Sequence, residues 1–194
     1  MNFTCNDCED EIHDEFHYEV SLTTEKEELK IGDTLRFSTV FPSKVELASS
    51  KMIHDNSEQY VDYRFHILEL ERGKTKASPA RESFRFVNLD AGTVHIPEAR
   101  AWEAEIHNFC GPDTCRLAFG IVPKREGFFG VFLRKGFLGA FECMDLTLFP
   151  SRIKSDVGSN TTILEELELS NIKTDFLIDN PDSDELLYLF KVRE

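Results

Sequence analysis

The sequence has no run approaching the roughly 18 consecutive apolar residues that a membrane-spanning helix requires. Positive charge is scarce: 22 Lys and Arg stand against 36 Asp and Glu, a formal net charge of −14. A nucleic-acid binder needs a basic footprint to displace counterions, so that class is excluded. The same charge disfavours docking on an anionic membrane surface. The stretch from Met1 to Glu11 has neither the basic region nor the apolar run of a signal peptide. No serine sits in the G-x-S-x-G elbow of an α/β-hydrolase. Tryptophan occurs once, and helix-start patterns are few.

What the chain has is phenylalanine, 17 of them, within a hydrophobic share of 41% that suffices for a folded core. At 194 residues the expected organisation is an acidic tail or tether over residues 1–14 and a single domain over 15–194. From Glu15 onward the pattern is short alternating runs. Phe16, Tyr18, Val20 and Leu22 share one strand face, and Leu35, Phe37 and Phe41 share another. Residues 43–58 read as an irregular connection with a helical turn near Val45–Ser50. Residues 59–71 read as the longest strand.

Further strands are expected at 84–87 and 101–109, then a meander of 117–123, 128–133 and 137–143. Its turns fall at Lys124–Gly127 and Arg134–Gly136. The run 161–169 fits either a helix, with Thr162 as cap and Glu165 three residues on, or an edge strand. Residues 185–192 close the chain as a strand. Many short strands at intervals of about 8–12 residues specify an antiparallel sandwich or barrel.

Five cysteines bear on compartment: Cys5, Cys8, Cys110, Cys115 and Cys143. Cys110-Gly-Pro-Asp-Thr-Cys115 places two thiols on either side of a turn, opposite one another within disulfide range at about 5.5 Å between Cα atoms. Two alternatives compete with that disulfide. Cys5-x2-Cys8 with Cys110-x4-Cys115 has the makings of a four-thiolate zinc site, and the third reading is free thiols in a cytosolic protein. If Cys5 carries the lipid of a bacterial lipoprotein, Cys8 and Cys143 form a second pair and the odd count closes.

Leu29-Lys30-Ile31-Gly32-Asp33-Thr34-Leu35 resembles the turn leading into an inner strand of immunoglobulin-like domains in bacterial surface proteins. Ile121-Val122-Pro123-Lys124-Arg125-Glu126-Gly127-Phe128 is similar to a late-strand turn and return in secreted proteins and lipoproteins of Gram-negative bacteria. Together these cover about 15 residues. The resemblance implies a mainly β fold, an immunoglobulin-like antiparallel β-sandwich with long loops and at most one or two short helices. It also implies an extracytoplasmic setting, periplasm or cell surface, with the cytoplasm as the alternative. It carries over no catalytic residue.

Several motifs bear on chemistry. His13-Asp14-Glu15-Phe16-His17 has the His spacing of a zinc protease helix, but its Glu is one position late and the run alternates like a strand. Asp179, Asp182 and Asp184 cluster as oxygen ligands for Ca²⁺ without the spacing of an EF-hand loop. His66 and His107 fall within strands and read as sheet-face residues; with His54 and His95 they are the histidines from which a scattered hydrolase site would be assembled. Arg72, Lys74, Lys76 and Arg81 form a basic stretch suited to a protein or glycan partner, or to plain solvation. The expectation is a non-catalytic binding or structural module with no cofactor, touching a membrane only through a lipid on Cys5. A hydrolase and a cytosolic zinc protein are the alternatives.

Overall fold

The computed structural model describes residues 12–24, 29–74, 77–91, 93–95, 103–141, 144–155, 160–168 and 186–194. The first strands are β1 (Ile12–Thr23), β2 (Leu29–Lys30), β3 (Leu35–Pro42), β4 (Lys44–Glu46) and β5 (Ile53–Asp55). There follow β6 (Tyr60–Leu70), β7 (Ser78–Pro79), β8 (Phe84–Ala91), β9 (Thr93–His95) and β10 (Glu103–Phe109). The chain ends with β11 (Thr114–Pro123), β12 (Gly127–Phe141), β13 (Met144–Ser155), helix α1 (Asn160–Glu166) and β14 (Leu186–Arg193). The mainly β expectation holds.

Strand order along the main sheet is β8-β11-β3-β1-β13-β12-β6-β10-β9, with β14 also on β12. The sheet doubles over so that its two halves face each other as a sandwich. Phe37 on β3 stacks on Phe119 of β11 at 4.7 Å between ring centroids, and Phe119 lies 4.9 Å from Phe65 on β6 in the opposite layer. Phe84 of β8 meets Phe129 of β12 at 4.8 Å, and Tyr18 of β1 meets Tyr63 of β6 at 5.6 Å. One edge of the sandwich is joined by β13, which runs parallel to β1 and antiparallel to β12. At the other edge β8 and β9 stand at opposite ends of the path, one residue apart in sequence.

The inward faces are those that alternation specifies. Tyr18, Val20, Leu22, Leu35, Phe37 and Phe41 are all buried in one cluster, with Phe16 half-buried against it. A second, smaller cluster lies on the outer face of β6, β12 and β14, where Leu68, Leu70, Phe132 and Leu189 are covered from α1 by Ile163, Leu164 and Leu167. That settles the run 161–169 in favour of a helix. Ile163, Leu164 and Leu167 share one face only at helical spacing, and Leu167 N–H donates to the Ile163 carbonyl at 3.0 Å. Thr162 lies within the helix and not at its cap.

The expected meander is corrected. β11 pairs with β3 and β8, never with β12, so the Lys124–Gly127 turn carries the chain from one layer to the other. Gly127 at φ 149° makes that crossing; a Cβ there would lie 3.0 Å from the Phe129 ring. Arg125 clamps the turn onto β6, its Nη1 and Nη2 donating to the Glu69 carboxylate at 2.5 and 2.7 Å and its Nε to Ser83 Oγ at 2.9 Å.

Arg134–Gly136 is no turn either. β12 runs straight through it, its register against β6 shifting between Arg134 and Phe137, and exchanges β6 and β14 for β13 as partners. A bulge redirects a strand without reversing it, which local glycine content does not distinguish from a turn. The irregular connection 43–58 contains the two-stranded β4–β5 sheet instead of a helical turn. Gly32, at φ 87°, and Asp33 do form the expected turn, with Lys30 N–H donating to Asp33 Oδ2 at 2.9 Å.

β1 begins at Ile12, earlier than the expected boundary after residue 14, because Asp14 is part of the fold. Burial favours its neutral acid, yet the Ser50 hydroxyl and the backbone N–H groups of Ser49, Ser50 and Glu15 outweigh that and hold the carboxyl well below its ordinary range. The N–H donors of Ser49 and Ser50 lie at 2.9 and 2.8 Å. A depressed carboxyl stabilises the fold above its unfolded value near 3.9 and loses that contribution as pH falls through its folded value. Glu69 is lowered likewise by its hydrogen bonds from Arg125, partly offset by burial. Asp14→Asn should therefore cost about 2 kcal/mol at pH 7 and flatten the loss of stability below pH ~4. Urea midpoints from pH 2 to 7 check this; an unchanged acid limb refutes it.

Candidate functional site

The outer face of β6 and β10 carries a ladder that neither strand shows alone. The two strands are antiparallel and in register, so Tyr60, Asp62, Arg64 and His66 stand opposite Phe109, His107, Glu105 and Glu103. Inward-facing Val61, Tyr63, Phe65 and Ile67 leave these alternate positions on the outer side. Every rung is complementary. His66 Nε2 lies 3.2 Å from Glu103 Oε2, Arg64 Nε 3.6 Å from Glu105 Oε1, and His107 Nδ1 2.5 Å from Asp62 Oδ1. The Tyr60 and Phe109 rings meet edge to face at 5.2 Å.

The ladder grades from dry to wet. His66 and Glu103 are buried beside the cluster under α1, whereas Asp62 and His107 are about one-third exposed. Tyr60 and Phe109 are 68% and 52% exposed, unusual for rings of their size. The face therefore ends in two solvent-facing aromatic groups with charged neighbours behind them. Such a face offers ring faces for contact, and carboxylate, guanidinium and imidazole groups for hydrogen bonding.

The His107–Asp62 pair, a partly exposed imidazole on a carboxylate, resembles part of a catalytic triad. In a triad the other ring nitrogen addresses a nucleophile. His107 Nε2 is 4.0 Å from Glu105 Oε2, a carboxylate. Among the described contacts the pair is one rung of the ladder, joining β10 to β6. His54 is elsewhere, on β5 in the small sheet, and burial pushes it below the ordinary histidine value despite the opposing effects of Asn56 and Asp55. His95 stands opposite Glu105 in the β9–β10 register.

Cys110 and Cys115 are disulfide-bonded, with Cα atoms 4.3 Å apart. The spacing is shorter than the sequence expectation of about 5.5 Å. The two cysteines do not close a hairpin ladder. β10 belongs to one layer and β11 to the other, so the bond staples the layers where the chain crosses. With these sulfurs bonded to each other, neither is a thiolate, and the four-cysteine zinc site is not assembled in this form. Cys5, Cys8 and Cys143, the calcium candidates Asp179, Asp182 and Asp184, and Lys76 lie outside the described residues. Among the described residues no group of three His, Cys, Asp or Glu is placed to hold a metal ion.

Two residues of the basic stretch are paired with carboxylates. Arg72 pairs with Glu168, Lys74 Nζ lies 2.5 Å from Glu71 Oε2, and Arg81 opens a 3-10 turn before β8. Opening the disulfide removes a cross-link that the chain-entropy relation values at about 2 kcal/mol for so short a loop. Reduction, or the Cys110→Ser/Cys115→Ser double variant, should lower the melting temperature by roughly 4–8 °C. Mass spectrometry under denaturing conditions gives the direct check: an intact mass unchanged by reductant overturns the pairing.

No protein-family model and no curated protein matches the sequence. Solved structures with similar backbones are β domains. The human F-spondin reeler domain is 12% identical, with 75% of this chain and 89% of that one covered, at a TM-score of 0.35. The second type II cohesin module of the ScaA scaffoldin of Acetivibrio cellulolyticus is 7% identical over 60% and 70% of the two chains, at 0.30. A non-cellulosomal cohesin from Archaeoglobus fulgidus is 5% identical over 76% and 97%, at 0.29. These likenesses carry no functional assignment, which rests on the ladder itself.

His66 and His107 lie on a sheet face, as their place in alternating runs specifies, and their partners come from the other strand. A usable signal was present. Y-x-D-x-R-x-H read forwards and F-x-H-x-E-x-E read backwards are complementary at each position.

Proposed function

We propose that the chain is a non-catalytic, extracytoplasmic binding module that meets a protein partner through the outer face of β6 and β10. The observation that carries this reading is the Tyr60–Phe109 pair, two large rings held out to solvent at the end of a row of paired polar side chains. Exposed aromatic groups on a rigid sheet lose little freedom on binding and serve as contact anchors. The Cys110–Cys115 bond supports an oxidising compartment. In that setting Cys5 is the position for a lipid anchor and residues N-terminal to β1 are the tether.

The test is retention of a partner from the extracytoplasmic fraction on immobilised protein. Tyr60→Ala and Phe109→Ala should reduce it at least tenfold while melting temperatures stay within 2 °C, because both side chains are exposed. Val40→Ala, an exposed position on the opposite layer, should change nothing. Equal retention by all variants refutes the reading. Hydrolysis of an ester or peptide panel that disappears in His107→Ala replaces it with the enzyme alternative.

A further inference from the structure

We propose that the partner segment bound at Tyr60 and Phe109 is basic and presents arginine; this rests on the binding-module reading above. The two rings do not stand alone. Asp62 lies two residues from Tyr60 on the same side of β6, and Glu58, exposed, precedes it with its N–H donating to the Cys110 carbonyl at 3.1 Å. Asp113 is exposed in the turn between the two cysteines. Aromatic faces and carboxylates are thus gathered at one end of the sandwich. A ring face carries the negative end of its quadrupole, so both components attract a cation.

Charge decides among the occupants of such a surface. A second copy of this chain would bring −14 against −14. Nucleic acid and anionic membranes carry the same sign, so each is repelled. A basic protein segment is attracted at long range and matched at contact. Arginine fits better than lysine, because a planar guanidinium stacks on a ring while its N–H fork donates to a carboxylate. Asp62 accepts from one histidine nitrogen, which leaves a carboxylate capacity of about three further hydrogen bonds.

The platform is also preorganised. Phe109 adjoins the disulfide, and Cys110 N–H donates to the Gln59 carbonyl at 2.9 Å, next to Tyr60. Both rings ride on backbone tied across the two layers, so little ordering remains to be done on binding.

The experiment uses fluorescein-labelled hexa-arginine and hexalysine peptides, followed by anisotropy at 150 mM salt. Hexa-arginine should bind about fivefold or more tightly than hexalysine. Tyr60→Ala, Phe109→Ala and Asp62→Asn should each weaken it about five- to tenfold, while Glu165→Gln on α1 changes it less than twofold. Equal binding of the two peptides, or indifference to Tyr60 and Phe109, overturns the proposal and leaves only diffuse attraction to an acidic surface. Retention of the extracytoplasmic partner is then measured with excess hexa-arginine. Retention that needs Tyr60 but resists the peptide refutes a basic partner and leaves the binding module standing. Retention that ignores Tyr60 refutes both.

Discussion

Replacing Phe37 with alanine should lower stability by about 3–5 kcal/mol and the melting temperature by about 6–20 °C. Phe37 is fully buried and stacks within 7° of parallel on Phe119, with Phe65 of the opposite layer 6.2 Å away. Removing it deletes the ring and opens a cavity where β3, β11 and β6 meet, and strand backbones paired on both sides close such a space poorly. Phe37→Leu should recover more than half of the loss by refilling volume. Phe109→Ala is the matched control. It removes the same ring from an exposed site and should cost under about 0.5 kcal/mol. Equal effects at Phe37 and Phe109 in chemical denaturation contradict this packing.

The second large effect is expected at the dry end of the ladder. Glu103→Ala should cost about 3–5 kcal/mol, because it strips a buried partner from His66, whose side chain is 6% exposed. Desolvation makes the single deletion worse than the loss of the pair itself. The double variant His66→Leu/Glu103→Leu should therefore regain most of the stability, since it removes both members of the buried pair and refills their volume with apolar groups. The corresponding change at the wet end, His107→Ala, should cost under about 1 kcal/mol, because solvent screens that pair. A double-mutant cycle on urea midpoints reads all of this. A Glu103→Ala cost below 1 kcal/mol, or a double variant less stable than either single one, refutes a buried pair.

These contrasts connect stability to function. The inner rungs anchor β10 on β6, and the outer rungs present contact groups whose removal leaves the fold intact. Loss of binding at Tyr60 with an unchanged melting temperature is thus separable from loss of binding by unfolding.

Local pattern alone determined a good deal of this protein. Alternation at Phe16 to Leu22 and at Leu35 to Phe41 set which side chains enter the core, since side-chain direction in a strand depends only on the parity of position. The Gly32-Asp33 turn was legible because a positive φ has a residue preference, and the Cys110–Cys115 bond because five residues of chain hold the two thiols near each other. Partner choice was not legible. β11 was expected to pair with the strand that follows it and pairs instead with β3 and β8; Arg134–Gly136, expected to turn, continues a strand. Asp14 reads as part of a tail in the sequence because its donors, Ser49 and Ser50, lie 35 and 36 residues away. The ladder depends on the register of strands whose paired residues stand 37 to 49 positions apart. A strand's faces are written in its own residues; which strand lies beside it, and in which register, follows only when the whole core packs.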